Sequence, residues 1–157
     1  MFAYWSVPLL GAIRFLAAGL GLAITVSGCA LFSPFGNLSP KDCMTRVMYF
    51  ESNRSSAEGM LAVGTVVMNR MDDREYPRTV CGVVGQKNQF APGVLYKPMK
   101  EGRSKALAES VAEQVLHGAR HPGVQRAKHF HTAGLTFPYK NMHYVLEAGG
   151  NAFYEKY

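Results

Sequence analysis

Ser39-Pro40-Lys41-Asp42-Cys43-Met44-Thr45-Arg46-Val47-Met48-Tyr49-Phe50-Glu51 reads as one complete helix. Ser39 can accept from the free amides of the first turn, Pro40 sits where no intrahelical donor is needed, and Asp42 lies near the positive end of the dipole. Cys43, Val47 and Glu51 recur every four residues, so the face that buries Cys43 and Val47 carries a carboxyl at its end. A break at Glu51-Ser52-Asn53-Arg54 leads to a second helix, for which Ser55 and Glu58 have capping-box spacing. Met60 to Met68 is apolar nearly all round, and a helix without a polar face is surrounded by other elements. This helix is therefore placed centrally, with Asn69 and Arg70 marking its end.

Outward from this pair, Thr79 to Val84 is a short apolar segment, and Gln86 to Pro98 reads as a loop containing Gln89-Phe90. Leu107, Val111 and Val115 give Ser104 to Leu116 the spacing of a third amphipathic helix, with Gly118 just past its end. Ala127 to Thr132 alternates, which puts Ala127, His129 and His131 on one side of a strand. Met142–Leu146 and Ala152–Tyr154 flank Gly149-Gly150-Asn151, a hairpin turn. The expected fold class is α+β, mainly helical, with a small antiparallel β-sheet contributed late in the chain.

Ahead of the helices, Phe15 to Ser27 is apolar and small, with Arg14 before it and Val26-Ser27-Gly28-Cys29 after it. This resembles a bacterial lipoprotein signal peptide, with Cys29 becoming the lipidated first residue after cleavage. The other reading is an uncleaved membrane helix over Phe15 to Phe32, and both tether the chain outside the cytoplasm. The expected divisions are 1–28 signal peptide, 29–38 lipidated Cys29 and linker, and 39–157 a single folded domain. Ala30, where inner-membrane lipoproteins carry Asp, points to the periplasmic face of the outer membrane in a Gram-negative envelope. With Cys29 set aside, Cys43 and Cys81 remain as an even pair in an oxidising compartment, either disulfide-bonded or two buried thiols.

Removing Arg14 from the 17 Lys and Arg leaves 16 bases against 11 acids, a net charge of +5 for the exported part. The basic residues are scattered and form no stripe, so no nucleic-acid partner is expected. Anionic surroundings of the envelope suit this charge.

Seven short matches occur in order: Tyr49-Phe50-Glu51, Glu58-Gly59, Val66-Val67-Met68-Asn69-Arg70, Thr79-Val80-Cys81-Gly82-Val83-Val84, Gln89-Phe90, His129-Phe130-His131 and Gly150-Asn151-Ala152-Phe153-Tyr154. Together they resemble the spore-cortex-lytic cell-wall hydrolase family (SleB/CwlJ-like), over about residues 43 to 154. The resemblance implies a fold like that of lysozymes and lytic transglycosylases. It also implies cleavage of the bond between N-acetylmuramic acid and N-acetylglucosamine in peptidoglycan, with Glu51 as the catalytic acid and 39–157 as the catalytic domain. The family usually continues with Ala-Arg after this Glu, whereas Ser52-Asn53-Arg54 follows here, which leaves the role of Arg54 open.

The chemistry of the residues agrees with that mapping. Cleaving a glycoside needs a proton on the leaving oxygen, and a carboxyl supplies it near neutral pH only when burial raises its pKa. An ordinary glycosidase adds a second carboxyl, for which Glu58 is the nearest candidate in sequence, although its capping position also gives it a structural job. A lytic transglycosylase needs none, because the 6-hydroxyl of the muramic acid attacks, and this reading is preferred over hydrolysis. Asn69 and Gln89 are candidates to hydrogen-bond acetamido groups, and Tyr49, Phe90, Tyr139 and Tyr154 to stack on sugar faces, with His131 beside them. Phe90 reads equally well as core.

A rival class is a zinc peptidase of the stem peptide, using His129, His131 and His143. The chain has no His-Glu-x-x-His helix, so no metal or cofactor is expected. A non-catalytic wall-binding lipoprotein would lack the acid. A regulatory protein partner is left open by the sequence.

Overall fold

The computed structural model describes residues 36–54 and 56–157; the leader, Cys29 and most of the linker lie outside the described residues, as does Ser55. Four helices come first: α1 (Pro40–Glu51), α2 (Ala57–Asp72), α3 (Val80–Val84) and α4 (Gly102–Leu116). A single 3-10 turn (Pro122–Val124) leads into β1 (His129–Thr132), β2 (Met142–Ala148) and β3 (Asn151–Lys156), an antiparallel sheet in the order β1-β3-β2. The domain is α+β and mainly helical.

Ser39 caps α1 with a capping box, since its side chain accepts from Asp42 N–H while the Asp42 carboxylate accepts from the Ser39 amide. The α2 start differs from the sequence expectation. Its cap is Ser56, whose Oγ accepts from Gly59 N–H at 3.0 Å. Glu58 then falls one position too early to reach back to the cap amide, and its carboxylate lies 3.4 Å from His121 instead. The position facing the cap is Gly59, and a Cβ there would lie 2.4 Å from Gly149 Cα. That long-range backbone contact sets the frame of the helix start.

The centre of the domain is α2, which packs against α1, α3 and α4 and also touches the 3-10 turn and β2. Met60, Ala62, Val63, Val66 and Val67 are fully buried, as expected for a helix apolar on every side. Thr79 to Val84 is helical, with Thr79 as cap, and Cys43–Cys81 is a disulfide that ties α3 to α1. The third long helix begins at Gly102, two residues before the position expected from periodicity. Likewise β1 begins at His129, while Ala127 is buried in the approach to it.

Gly149 and Gly150 both have positive φ, +56° and +83°, the backbone that a two-residue hairpin loop requires, and Asn151 already belongs to β3. The loop rests on Gly59, so the hairpin is pinned to the corner between α1 and α2. Gly59→Ala is expected to lower stability by about 1–3 kcal/mol or more, because backbone on both sides of the contact must move. Thermal unfolding followed by circular dichroism measures this, and an unchanged midpoint would contradict the tight contact.

Candidate active site

Glu51 is the last residue of α1, and its surroundings hold it from three directions. Its backbone carbonyl accepts from Asn151 Nδ2 at 2.6 Å, the next turn is held by Asn53 N–H donating to Gly149 O at 2.8 Å, and Oε1 accepts from Ala91 N–H at 2.5 Å. Ser52 closes the helix by donating from Oγ to Met48 O. The sheet's hairpin and the loop after α3 thus converge on one helix end.

Burial raises the pKa of Glu51 above the ordinary glutamate value; the Ala91 N–H, then the charges of Arg70 and Lys97, oppose it without reversing it. The negative pole at a helix C-terminus also disfavours a carboxylate. A half-buried carboxyl whose pKa is raised by burial holds its proton to higher pH than a free glutamate, the direction a general acid needs.

One face of the sheet lies open. Residues directly opposite in a ladder share a face, so His129, His131, Ala152, Tyr154 and Tyr144 lie on one side, with Glu147 joining them opposite Ala152. Phe130, Phe153 and Leu146 lie on the other side, against the core. On the open face His129 stacks on Tyr154 at 5.3 Å, and Tyr154 lies 5.6 Å from Tyr144. The loop between β1 and β2 folds Phe137 against His131 at 4.7 Å and stacks Tyr139 on Phe137. A hollow of about 300 Å³ is lined by His131, Leu135, Phe137, Tyr144 and Glu147 among others, and Tyr139 and Tyr154 line a smaller one adjoining His131.

The expected site residues separate into two groups. Tyr139 and Tyr154 stand on the open face with His131, and Tyr139 is 62% exposed. Gln89 is exposed in the turn that precedes Phe90. Tyr49 does not form a groove wall, and Phe90 is mostly enclosed although its edge lines a hollow with Ala91 and Val94. Tyr49 is only 2% exposed, its ring is covered by the Arg54 guanidinium and its hydroxyl accepts from Glu101 N–H, so no sugar can stack on it. Phe90 is 9% exposed and packs between Phe130 and Arg70. Asn69 spends both amide protons on the carbonyls of Gln125 and Ala127. Glu58 stands at the exposed start of α2, beside His121.

The histidines do not converge. His131 has one ring nitrogen 2.8 Å from Thr132 O and the other 2.8 Å from the Tyr144 hydroxyl, and His143 lies against Tyr157. Among the described residues there is no group of three or more His, Cys, Asp or Glu placed to hold a metal ion. Arg54 pairs with Glu101 across Tyr49, which answers the question its departure from the motif raised: it clamps the segment before α4 onto α1.

Ala91, Asn151, Arg70 and Tyr144 were not among the expected site residues. Ala91 acts through its backbone, which leaves no trace in sequence. Asn151 and Arg70 stand within the ordered matches, and Tyr144 keeps strand alternation with Met142, a signal that would have put it on the open face.

A family model described as Cell Wall Hydrolase matches residues 54–154. The chain belongs to the cell wall hydrolase family. Glu51 lies just ahead of the matched stretch, so its placement rests on the geometry and on its motif. Among solved structures, the catalytic domain of SleB from Bacillus cereus aligns with a TM-score of 0.59 at 22% identity, over 76% of this chain and 94% of that one. The catalytic domain of the germination-specific lytic transglycosylase SleB from Bacillus anthracis aligns with a TM-score of 0.58 at 23% identity, over 78% of this chain and all of that one. At these identities the shared property is the fold. No curated protein matches the sequence. In this cell wall hydrolase the helical part supplies the carboxyl and the sheet supplies the aromatic face.

Proposed function

We propose that this cell wall hydrolase cleaves peptidoglycan glycan strands between N-acetylmuramic acid and N-acetylglucosamine as a lytic transglycosylase, with Glu51 as its acid. The observation that carries the reading is the Glu51 carboxyl itself, half buried at a helix end, held by Ala91 N–H and with its pKa raised by burial. The aromatic face of the sheet suits pyranose rings, whose C–H surfaces stack on aromatics while their hydroxyls find polar edges. His131, Tyr139 and Tyr154 bind the strand there, with Gln89 at the loop. The Bacillus anthracis structure, named as a lytic transglycosylase, supports the same reaction on the same fold.

In the first step Glu51 gives its proton to the glycosidic oxygen as the C1–O bond breaks. In the second, its carboxylate accepts the proton of the muramic 6-hydroxyl as O6 bonds to C1, leaving a 1,6-anhydro end. Hydrolysis by a second carboxylate is the alternative, and the carboxylate on the aromatic face is Glu147 rather than Glu58. Digestion of purified sacculi by the full chain tests the class of reaction. Soluble muropeptides without new free amines are expected; new amines in step with release would mean peptide cleavage and overturn the reading.

The pH profile adds a second check. The Lys97 charge lowers the Glu51 pKa, so Lys97→Met is expected to move the alkaline limb of activity to higher pH. The backbone carbonyl of Lys97, which Arg46 holds, is untouched by that change. A limb that stays in place or moves down would contradict Glu51 as the group that must stay protonated.

The same reading places the enzyme on a lipid anchor at Cys29, on the periplasmic face of the outer membrane. The Val26-Ser27-Gly28-Cys29 sequence supports this. Globomycin is expected to block processing, and Cys29→Ser to release the protein from membranes; insensitivity to both would leave the uncleaved-helix alternative.

A further inference from the structure

Arg70, in the last turn of α2, is 4% exposed. Its Nε–H donates to Lys128 O at 2.7 Å, and its guanidinium lies 5.0 Å from the centroid of the Phe90 ring and 5.4 Å from that of Tyr76. Nη1 is buried with no hydrogen-bond partner. Among the described residues no carboxylate lies within ion-pairing distance of it. Sequestering a guanidinium without a direct counter-ion is costly, and such groups cluster where a fold uses the charge.

The neighbouring backbone indicates the use. The Phe90 ring lies against the guanidinium, and the next residue, Ala91, donates its N–H to Glu51 Oε1. Arg70 and Glu51 thus contact adjacent residues of one dipeptide. We propose that Arg70 is a positioning residue for Glu51, a fixed positive charge that stabilises the carboxylate formed once Glu51 has given its proton to the leaving oxygen.

This rests on Glu51 being the acid, and it applies whether the 6-hydroxyl or water completes the reaction, since both routes pass through the carboxylate. Arginine suits the task because it stays charged across the working pH range and its rigid fork is fixed by one hydrogen bond and two rings. The field reaches across the site. Burial first, and then the Arg70 charge, hold His129 down to about 4, so His129 stays neutral and adds no competing charge. The other groups facing the pair are Lys97 towards Glu51, and Tyr76 and Tyr154 towards Arg70; Lys128 is paired with Asp73 at 2.5 Å.

The test is a direct titration of Glu51 in the full chain, with carbon-13 in the glutamate side chains and the resonance assigned by its loss in Glu51→Gln. Arg70→Gln, which keeps a donor for Lys128 O, is expected to move the Glu51 midpoint upward, and Arg70→Lys to bring it back towards wild type. Muropeptide release should follow: the alkaline limb rises and kcat falls by about tenfold or more in Arg70→Gln with KM little changed, and Arg70→Lys recovers most of it. If Arg70→Gln does not fold, semisynthetic citrulline at position 70 removes the charge and keeps the shape. An unchanged Glu51 midpoint in a folded, charge-free variant overturns the proposal. A shifted midpoint in a chain that cleaves no glycan would leave this coupling standing and remove the functional reading instead.

Discussion

Glu51→Gln is expected to lose glycan cleavage by about a thousandfold or more while keeping the fold, because the amide has the carboxyl's shape and no proton to give. The Gln side-chain oxygen can still accept from Ala91 N–H, so the contact between the loop and α1 survives. The variant should also be at least as stable as wild type at neutral pH. The folded-state pKa of Glu51 is raised, so ionisation is harder in the folded chain than in the unfolded one. Its contribution is therefore a loss of stability that sets in as pH rises past the ordinary value of 4.5 and is complete above the raised value. Gln cannot ionise and is free of that loss. Unfolding midpoints of the two proteins should converge in acid and separate towards neutral pH, with the variant higher. Retained turnover, or a variant that is less stable at neutral pH, would contradict the account of this residue.

Removing the Cys43–Cys81 disulfide is the change with the largest expected effect on stability. The bond closes a separation of 38 residues, and confining a loop of that length in the unfolded chain stabilises the fold by about 4 kcal/mol on the chain-entropy estimate. Against a total of roughly 5–15 kcal/mol, that is a large share. The consequence extends to the site, since α3 has only five residues and is too short to persist without its tether to α1. The loop that follows α3 presents Phe90 to Arg70 and Ala91 to Glu51. Cys43→Ser/Cys81→Ser is expected to lower the denaturant midpoint with the slope little changed, and to reduce activity under conditions where the chain is still folded. Equal midpoints with and without reductant would contradict a stabilising bond.

Local chemistry made α1 readable to the residue, because its cap, its proline, its first-turn acid and its buried stripe all lie within one segment. The burial of α2 followed from an apolar run with no polar face. Its start did not, since adjacent serines satisfy the same capping rule and the choice of Ser56 is bound up with the meeting of Gly59 and Gly149 across most of the chain. Tyr49 was misplaced, and Phe90 was left between groove and core, for a related reason. Aromatic residues near an acid fit a sugar groove by type, and only the packing of Arg54 and Arg70 onto their rings shows them enclosed. The open sheet face was legible in part, through His131, Tyr139 and Tyr154. Phe137 reaches it from an aperiodic loop, and Glu147 reaches it through the register shift between Tyr144 and Leu146, which alternation alone does not predict.

The proposed site is assembled from distant parts of a small chain. Glu51 ends one helix, Ala91 follows another, and Asn151 opens the last strand, yet each of the three makes its hydrogen bond at a single helix terminus. Burial that raises the pKa of Glu51 comes from the packing that builds the fold, so on the proposed reading poise and stability share the same few contacts.

Mass spectrometry of the muropeptides that the full chain releases from purified sacculi tests the central claim most directly. The account predicts fragments ending in 1,6-anhydro-N-acetylmuramic acid that are absent from digests by Glu51→Gln. Reducing N-acetylmuramic ends would contradict transglycosylation and turn attention to Glu147, and intact glycan strands would contradict glycan cleavage itself.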